Sequence, residues 1–195
     1  MNYQYALVRM MEEKNLSIFD VAANTDWTVR YAEAVAENKR WHPCFDSVLK
    51  LCYSLRFNVF TFFEFAQVGV RGQSPIPNPQ SPIPNPQSPI PNPQSLGTKS
   101  FVGSVEEQRE IILFLEPLHV ALTLRSLRLG CGMTQRQLSR LTAFSVTTIS
   151  MREGKRYVSF PSMSTIEYYC EAFGISVVAF VYELFLCASA APSHC

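Results

Sequence analysis

A run of basic side chains in the C-terminal half of the chain is the part of the sequence that most clearly indicates a chemical role. Between positions 125 and 156 there is one acid, Glu153, although the formal net charge of the whole chain is only +1. Such a local positive field neutralises phosphate groups, which is the chemistry of nucleic-acid binding. The stretch 9–40 has no such excess, since it holds five basic and six acidic residues. The basic side chains of the run are Arg125, Arg128, Arg136, Arg140, Arg152, Lys155 and Arg156.

Residue types that carry catalysis or bind metals form no pattern in this sequence. The histidines His42, His119 and His194 lie far apart, and the six cysteines include no Cys-x-x-Cys pair. We expect the cysteines to be reduced and to pack as small apolar residues, as in a reducing compartment. Asp46 and Ser104 are predicted to cap helices rather than to act in acid–base or nucleophilic chemistry. An enzyme is therefore not favoured, and neither a cofactor nor a metal is expected.

Two short helices joined by a tight turn are predicted within the basic run, between positions 134 and 150. Thr134 and Ser145 are typical residues for capping the start of a helix, and Ala143 falls in the turn. Leu138 and Ile149 occupy positions that face inward. This spacing lets the two helices pack at a steep angle, so that the second one protrudes far enough to enter the major groove of DNA.

The same segment resembles the phage-repressor/Cro-type helix-turn-helix family, also called the xenobiotic-response-element family. The resemblance implies an all-helical domain of five-helix type, which reads DNA through the second helix of the pair. The chain departs from the family pattern between Ser150 and Gly154, where it is one residue short. We therefore expect a distorted end of the second helix. The matching residues are Thr134, Gln135, Leu138, Ser139, Ala143, Ser145, Ile149, Ser150 and 153–156, followed by 161–166 and 172–175.

The resemblance also implies which side chains of this segment contact DNA. Gln135 is expected to reach a phosphate with help from the helix N-terminus. No side chain on the exposed face is suited to read guanine unless Arg152 reaches in, so specificity is expected to depend partly on DNA shape. The residues expected to contact base edges are Ser145, Val146, Thr147 and Ser150, and Met151 is expected to contact a thymine methyl group. The residues expected to contact phosphates are Arg136, Arg140, Arg152, Lys155 and Arg156. Thr134, at the start of the first helix, is also expected to contact DNA.

A second copy of the frame is predicted in the N-terminal half. Its matching residues are Leu16 for Met133, Ser17 for Thr134, Ala22 for Ser139 and Ala32 for Ile149. Ile18 replaces the glutamine, and the turn residue is Asp26, followed by Trp27, which we expect to be exposed. Acids at Asp20, Asp26, Glu33 and Glu37 would repel phosphate near the groove face. The candidates for DNA contact here are Ser17, Thr28, Val29, Arg30, Lys39 and Arg40.

A proline-rich tract separates the two copies. The heptapeptide Ser-Pro-Ile-Pro-Asn-Pro-Gln occurs three times between positions 74 and 94, and Gly69, Gly72 and Gly97 flank it. Prolines at this density exclude helix and sheet, so we expect a polyproline-II-like tether with flexible boundaries. At about 3.1 Å per residue it would extend roughly 70 Å, enough for one chain to occupy two half-sites about 34 Å apart. The tract is either such a spacer or a neutral expansion of a short DNA repeat.

These signals predict an all-α fold and divide the chain into four segments. They are an N-terminal helix-turn-helix domain at 1–68, a linker at 69–100, a C-terminal helix-turn-helix domain at 101–188 and a tail at 189–195. In the second domain, 104–107 is a capping box, Pro117 opens a helix to about Leu129, and 175–191 forms a buried terminal helix. In the first domain, five phenylalanines are predicted to lie either in the core or on a dimer face. They are Phe57, Phe60, Phe62, Phe63 and Phe65.

Two functions stay open at this level. The first is a sequence-specific transcription regulator, repressor-like and cytoplasmic, which reads double-stranded DNA chiefly through the C-terminal domain, as a single chain or as a homodimer. The second is an interaction protein of antitoxin-like adaptor type, in which the N-terminal domain binds a protein partner or dimerises instead of binding DNA. No membrane association and no signal peptide are expected, since Glu12 and Glu13 interrupt the first apolar stretch.

Overall fold

The computed structural model describes residues 1–37, 43–71, 103–154 and 159–190, and in these ranges every regular element is a helix. The all-α prediction is therefore confirmed. The N-terminal half contains α1 (Tyr3–Lys14), α2 (Ile18–Asn24), α3 (Val29–Glu37), α4 (Phe45–Ser54) and α5 (Val59–Arg71). The C-terminal half contains α6 (Val105–Phe114), α7 (Pro117–Gly130), α8 (Gln135–Leu141), α9 (Val146–Arg152), α10 (Met163–Phe173) and α11 (Val177–Ala190).

The helix starts predicted from capping residues are present. Ser104 and Glu107 form a reciprocal capping box at α6, and Pro117 is the first residue of α7. The hydroxyl of Thr134 caps α8, and that of Ser145 caps α9. Each hydroxyl accepts a backbone N–H that the first turn of a helix leaves without a partner.

One capping prediction is wrong. Cys44 precedes α4, and Asp46 lies inside the first turn, where its carboxylate pairs with Lys50 at 2.8 Å. A carboxylate in that position still interacts favourably with the helix dipole and with a lysine one turn further on. An unforeseen cap is provided at α7 by His119, whose Nδ1 accepts a hydrogen bond from the N–H of Glu116 at 3.0 Å.

One continuous apolar core runs through both halves of the chain. The ring of Phe45 in α4 lies 6.3 Å from that of Phe63 in α5 and 6.3 Å from that of Phe180 in α11. The rings of Phe60 in α5 and Phe185 in α11 lie 5.5 Å apart. Aromatic pairs at such separations contribute about 0.5–1.5 kcal/mol each beyond the area they bury. The predicted aromatic series therefore belongs to a core that the two halves share.

The helix α6 ties the two halves together through polar groups. Gln108 is buried, and its side-chain oxygen accepts the N–H of Val59 at the start of α5 at 3.0 Å, while its nitrogen donates to the carbonyl oxygen of Gly103 at 2.9 Å. The guanidinium of Arg109 lies 4.6 Å from the ring centre of Tyr53 in α4, and its Nε donates to the carbonyl oxygen of that residue at 3.2 Å. A helix of the C-terminal half thus completes the N-terminal half.

The domain boundary expected at residue 68 lies inside α5, because that helix continues to Arg71. Gly69 is not a flexible joint. A Cβ there would lie 2.9 Å from ring carbons of Tyr5 and 3.0 Å from Cβ of Asn2, so the glycine lets α5 approach α1 closely. The rest of the predicted linker, with Gly72 and Gly97, and the chain beyond residue 190 lie outside the described residues. The division into four segments stays a prediction.

The predicted terminal helix is present as α11, which packs against α5, α6, α7 and α10. In the ranges described above, no single helix is long and apolar enough to cross a membrane. The pair α10 and α11 would reach that length and hydropathy only together, and it is bent by 98° at its junction. The five described cysteines are free thiols.

Candidate nucleic-acid interface

The helices α8 and α9 pack against each other around a turn that side-chain hydrogen bonds hold in place. The hydroxyl of Ser139 in α8 donates to the carbonyl oxygen of Phe144 in the turn at 2.8 Å. The hydroxyl of Ser145 accepts the N–H of Thr148 at 3.1 Å and so starts α9. Ser139, predicted only as a small residue at the helix crossing, therefore also ties the first helix to the turn.

Two apolar side chains hold the α8–α9 pair on the core, as predicted. Leu138 of α8 and Ile149 of α9 are both fully buried. The second helix ends early, since α9 has 7 residues where α3 has 9. The anchors and the short helix leave the opposite side of α9 facing solvent.

The exposed side of α9 carries the residues predicted to contact bases. Val146 and Met151 are 41% and 63% exposed. Ser145, Thr147 and Ser150 are exposed beside them. Short hydroxyl and apolar groups of this kind can contact base edges and the methyl group of thymine in a major groove.

Three arginines of the neighbouring helices α7 and α8 carry exposed charges. Arg136 and Arg140 of α8 and Arg125 of α7 are exposed. None of the three forms an ion pair with any described residue, so their charges stay available to an anionic partner. Several predicted or named residues lie outside the described ranges: Lys39, Arg40, His42, Lys155, Arg156 and His194.

Arg128 does not belong to the exposed positive surface that the basic run predicted. Its Nε donates to Oε1 of Glu153 at 2.7 Å and its Nη2 donates to Oε2 at 2.8 Å, and both side chains are buried. Its Nη1 donates to the carbonyl oxygen of Met133 at 2.7 Å. The hydrogen bond to Glu153 raises the pKa of Arg128 above its usual value. The pair joins α7 to the end of α9 and removes one cation from the predicted field.

Gln135, predicted to reach a phosphate, is turned toward the same pair. Its Nε2 donates to Oε2 of Glu153 at 3.0 Å, and the side chain is partly buried. The glutamine thus holds the start of α8 against the end of α9. It acts in this structure as a residue that positions the two helices.

Arg152, predicted as a phosphate or guanine contact, has an aromatic partner within the chain. Its guanidinium carbon lies 4.0 Å from the ring centre of Phe144, and its Nη1 is buried without a hydrogen bond to any residue that the structure describes. A cation over an aromatic face is held there by the charge distribution of the ring. The side chain is therefore engaged with the turn between α8 and α9.

Comparison of the chain with protein-family models, with curated proteins and with solved structures gave no match. Among the described residues, no three histidine, cysteine, aspartate or glutamate side chains gather as a metal site would require.

The α2–α3 pair shares three local hydrogen-bond patterns with the α8–α9 pair. A capping box starts the first helix in both, through Ser17 and through Thr134. In both, the threonine after that helix donates its hydroxyl hydrogen to a helix carbonyl, and a hydroxyl caps the second helix. The matched bonds are Thr25 to Val21 (2.8 Å) and Thr142 to Leu138 (3.0 Å), and Tyr31 to Thr28 (3.2 Å) and Thr148 to Ser145 (3.1 Å).

The exposed surfaces of the two pairs differ in charge. In the place of Arg136 the N-terminal pair has Phe19, which is 68% exposed, and in the place of Arg140 it has Ala23. Arg30 is the one cation within α2 and α3. The acids of this surface are all exposed, namely Asp20, Asp26, Glu33 and Glu37. The N-terminal pair is therefore negative where the C-terminal pair is positive.

Two residues of the N-terminal pair have local partners. The carboxylate of Asp20 accepts hydrogen bonds from the hydroxyl of Ser17 at 2.6 Å and from its N–H at 2.7 Å. These bonds lower the pKa of Asp20, so the acid stays ionised. Trp27, expected to be exposed, is partly buried against the core, and its ring meets that of Tyr31 edge-on at 5.0 Å. Of the DNA-contact candidates, Ser17, Thr28 and Arg30 are exposed and Val29 is partly buried.

Sequence reasoning missed the residues that position the α8–α9 pair. The pairing of Arg128 with Glu153 had one signal, since Glu153 is the sole acid in the basic run. An isolated acid among many cations is a natural partner for one of them. No pattern pointed to Phe144 as the ring on which Arg152 lies.

Proposed function

We propose that this chain is a sequence-specific DNA-binding transcription regulator of repressor type, with α9 as the recognition helix. The observation that supports this best is the combination of the exposed face of α9 with the exposed Arg125, Arg136 and Arg140 of α7 and α8, none of them engaged in an ion pair with a described residue. In a helix-turn-helix arrangement the second helix enters the major groove while the first crosses the phosphate backbone. The arginines of α8 and α7 are then the phosphate contacts, and α9 provides the base contacts.

The proposal extends to the rest of the chain. The α2–α3 pair is the second helix-turn-helix unit, the proline-rich tract connects the two units, and the protein acts in the cytoplasm. Because the N-terminal surface is acidic, most of the affinity for DNA comes from the C-terminal half.

The test begins by selecting bound sequences from a random pool of DNA duplexes with the full chain. We expect one enriched motif, and binding to it that weakens as salt is raised, because phosphate contacts release counterions. The double variant Arg136→Gln with Arg140→Gln should lower the slope of log affinity against log salt by about 1.8, at about 0.9 for each lost contact. Binding is measured by fluorescence anisotropy at several salt concentrations.

The matched control removes two exposed cations from α1, as Arg9→Gln with Lys14→Gln. This variant has the same net charge as the first, so a general charge effect would change both equally. The proposal predicts that only the α8 variant changes the salt slope. Absence of any enriched motif, or equal slopes for the two variants, would contradict it.

A protein-binding role for the α2–α3 pair is the second candidate. It is favoured by the exposed ring of Phe19 among exposed acids, at the position where α8 has an arginine. On this view the pair does not contact DNA, so replacing the cations in and next to it with acids, as Arg30→Glu with Lys39→Glu, leaves DNA affinity unchanged. A steep loss of DNA binding in that variant would argue against the interaction role.

A further inference from the structure

The two halves of the chain meet through reciprocal backbone hydrogen bonds. The N–H of Phe45 donates to the carbonyl oxygen of Pro161 at 3.0 Å, and the N–H of Met163 donates to the carbonyl oxygen of Pro43 at 3.1 Å. The residues between them form an antiparallel bridge. Each half therefore contributes one N–H donor and one carbonyl acceptor to the contact. Such reciprocity is typical of a contact between two like surfaces around a two-fold axis.

The surfaces that meet are equivalent parts of the two halves. Pro43 stands before α4 as Pro161 stands before α10, and the turn after each helix holds one residue in the left-handed conformation, Arg56 (φ 49°) and Gly174 (φ 69°). The next helix is capped in the same way in both halves. The matched bonds are from Thr61 N–H to Asn58 Oδ1 and from Ala179 N–H to Ser176 Oγ, both at 3.0 Å.

Equivalent helices also pack against each other across the junction. Phe60 of α5 lies 5.5 Å from Phe185 and 6.3 Å from Tyr182 of α11, measured between ring centres. Phe45 of α4 and Phe180 of α11 extend the same contact into the shared core. Two separate chains joined in this way would be a symmetric dimer. Here both surfaces belong to one chain.

We infer that one chain forms the complete two-fold DNA-binding unit by itself, and that its ligand is a duplex with two unlike half-sites. The inference rests on the proposed function of the α8–α9 pair. In the proposed unit, the two-fold relation of the bridge extends to the helix pairs and relates α3 to α9, so that both helices face one duplex. A second chain is not required, because the self-complementary surface is already covered within the chain.

The half-sites are unlike because the two recognition faces differ. Where α9 presents Thr147 and Ser150, α3 presents Arg30 and Glu33. The cation Arg136 faces one half-site, and its counterpart at the other is an aromatic ring. The C-terminal half therefore contributes most of the binding and the N-terminal half fixes its orientation. Two identical chains would instead read a palindrome.

The length of chain between α5 and α6 raises a competing arrangement that a test must separate. A long connection allows the N-terminal half of one chain to pair with the C-terminal half of another. Both arrangements use the same backbone bridge, but only one of them is a single-chain unit. Cross-linking across the bridge distinguishes them.

The bridge itself provides the cross-link. Cys44 and Ser162 face each other as an antiparallel pair without mutual hydrogen bonds. Such pairs have Cα atoms about 4.5 Å apart, inside the range that disulfides span. In the full chain, Ser162→Cys should form a disulfide with Cys44 under mild oxidation. The matched control is Ser162→Cys with Cys44→Ser, which cannot form it.

The expected result is a disulfide between positions 44 and 162 within a chain of monomer mass, seen by peptide mapping and analytical ultracentrifugation. The oxidised variant should bind the selected duplex within about twofold of the affinity of its reduced form, since both forms lack the Ser162 hydroxyl that caps α10 and differ only in the cross-link. Disulfide-linked pairs of chains, or failure to cross-link, would overturn the inference. So would a cross-linked chain that loses DNA binding while the reduced form keeps it.

The DNA side of the inference is tested with duplexes of two designs. One carries the selected motif, which we expect to be asymmetric and to bind one chain. The other duplicates the stronger half-site as a palindrome, and cooperative binding of two chains to it would overturn the inference. If no motif is enriched, the proposed function fails and the ligand assigned here fails with it. The cross-link and the mass of the free chain then still decide whether the pairing is within one chain.

Discussion

Glu153 lies where α7, α8 and α9 meet, and its carboxylate joins the end of α9 to the other two helices through hydrogen bonds. It follows α9, binds Arg128 of α7 through two parallel hydrogen bonds, and accepts a third from Gln135 of α8. Two charges buried together are tolerated because each neutralises the other, whereas one charge left alone is not. The orientation of α9 thus depends on a residue that cannot itself contact DNA.

The first prediction concerns this carboxylate. Glu153→Gln keeps the shape of the side chain but leaves the guanidinium of Arg128 buried without a counter-charge. We expect the free energy of unfolding to fall by about 3–5 kcal/mol, the usual cost of breaking a buried pair from one side. Urea denaturation followed by circular dichroism measures it.

The control for that prediction is Glu106→Gln. Glu106 pairs with Arg109 at 2.8 Å, but the side chain of Glu106 is 64% exposed, so its loss should cost at most about 1 kcal/mol. Similar small losses in both variants would show that Glu153 contributes no more than a surface acid.

At the scale of elements, the contact between α1 and α5 depends on one missing side chain. Gly69 lies in α5, where a Cβ would approach the ring of Tyr5 to 2.9 Å. Glycine within a helix costs up to about 1 kcal/mol relative to alanine, while forcing a methyl group into a packed contact costs about 1–3 kcal/mol. The packing term is the larger of the two.

The second prediction follows from these magnitudes. Gly69→Ala should destabilise the protein by up to about 2 kcal/mol, the difference between the packing cost and the gain in helix propensity. Gly130→Ala is the matched control, because that glycine also lies in a helix and a Cβ there has nothing within 4 Å. The control should be neutral or slightly stabilising in thermal denaturation. A stabilising Gly69→Ala would mean that α1 and α5 do not pack closely.

Many of the element starts could be predicted from the sequence because capping is local. The hydroxyl of Thr134 and the N–H that it accepts lie three residues apart, so a short stretch of sequence contains both partners. The candidate interface was predicted less well. The side chains of Gln135 and Arg152 are engaged by Glu153 and Phe144, and nothing within one helical turn of sequence indicates those contacts.

For the whole molecule, the shared core means that the halves should not unfold separately. Phe45, Phe60, Phe180 and Phe185 form one cluster across the junction. Cooperativity follows from contacts of this kind, because neither half can open without exposing apolar surface of the other.

The third prediction is therefore a single unfolding transition for the full chain. In calorimetry, the measured enthalpy should equal the van't Hoff enthalpy, as in a two-state protein. Phe60→Ala should lower the midpoint of that one transition, whereas Phe19→Ala, which removes a ring that is 68% exposed, should leave it in place. Two resolved transitions would show that the halves are independent domains on a tether.

The amino-acid sequence was enough to predict the all-α fold, the helix starts at Ser104, Pro117, Thr134 and Ser145, the inward positions of Leu138 and Ile149, and the exposed residues at 145–147, 150 and 151. These features depend on residue types and on spacings of a few positions, which the sequence contains directly. The packing of the helices determines which arginines are free to bind an anionic partner, because Arg128 pairs with an acid 25 positions away. Packing also determines that the two halves of the chain pair through residues 43–45 and 161–163. Such contacts join residues far apart in sequence, and their partners are set by how whole helices pack rather than by local pattern.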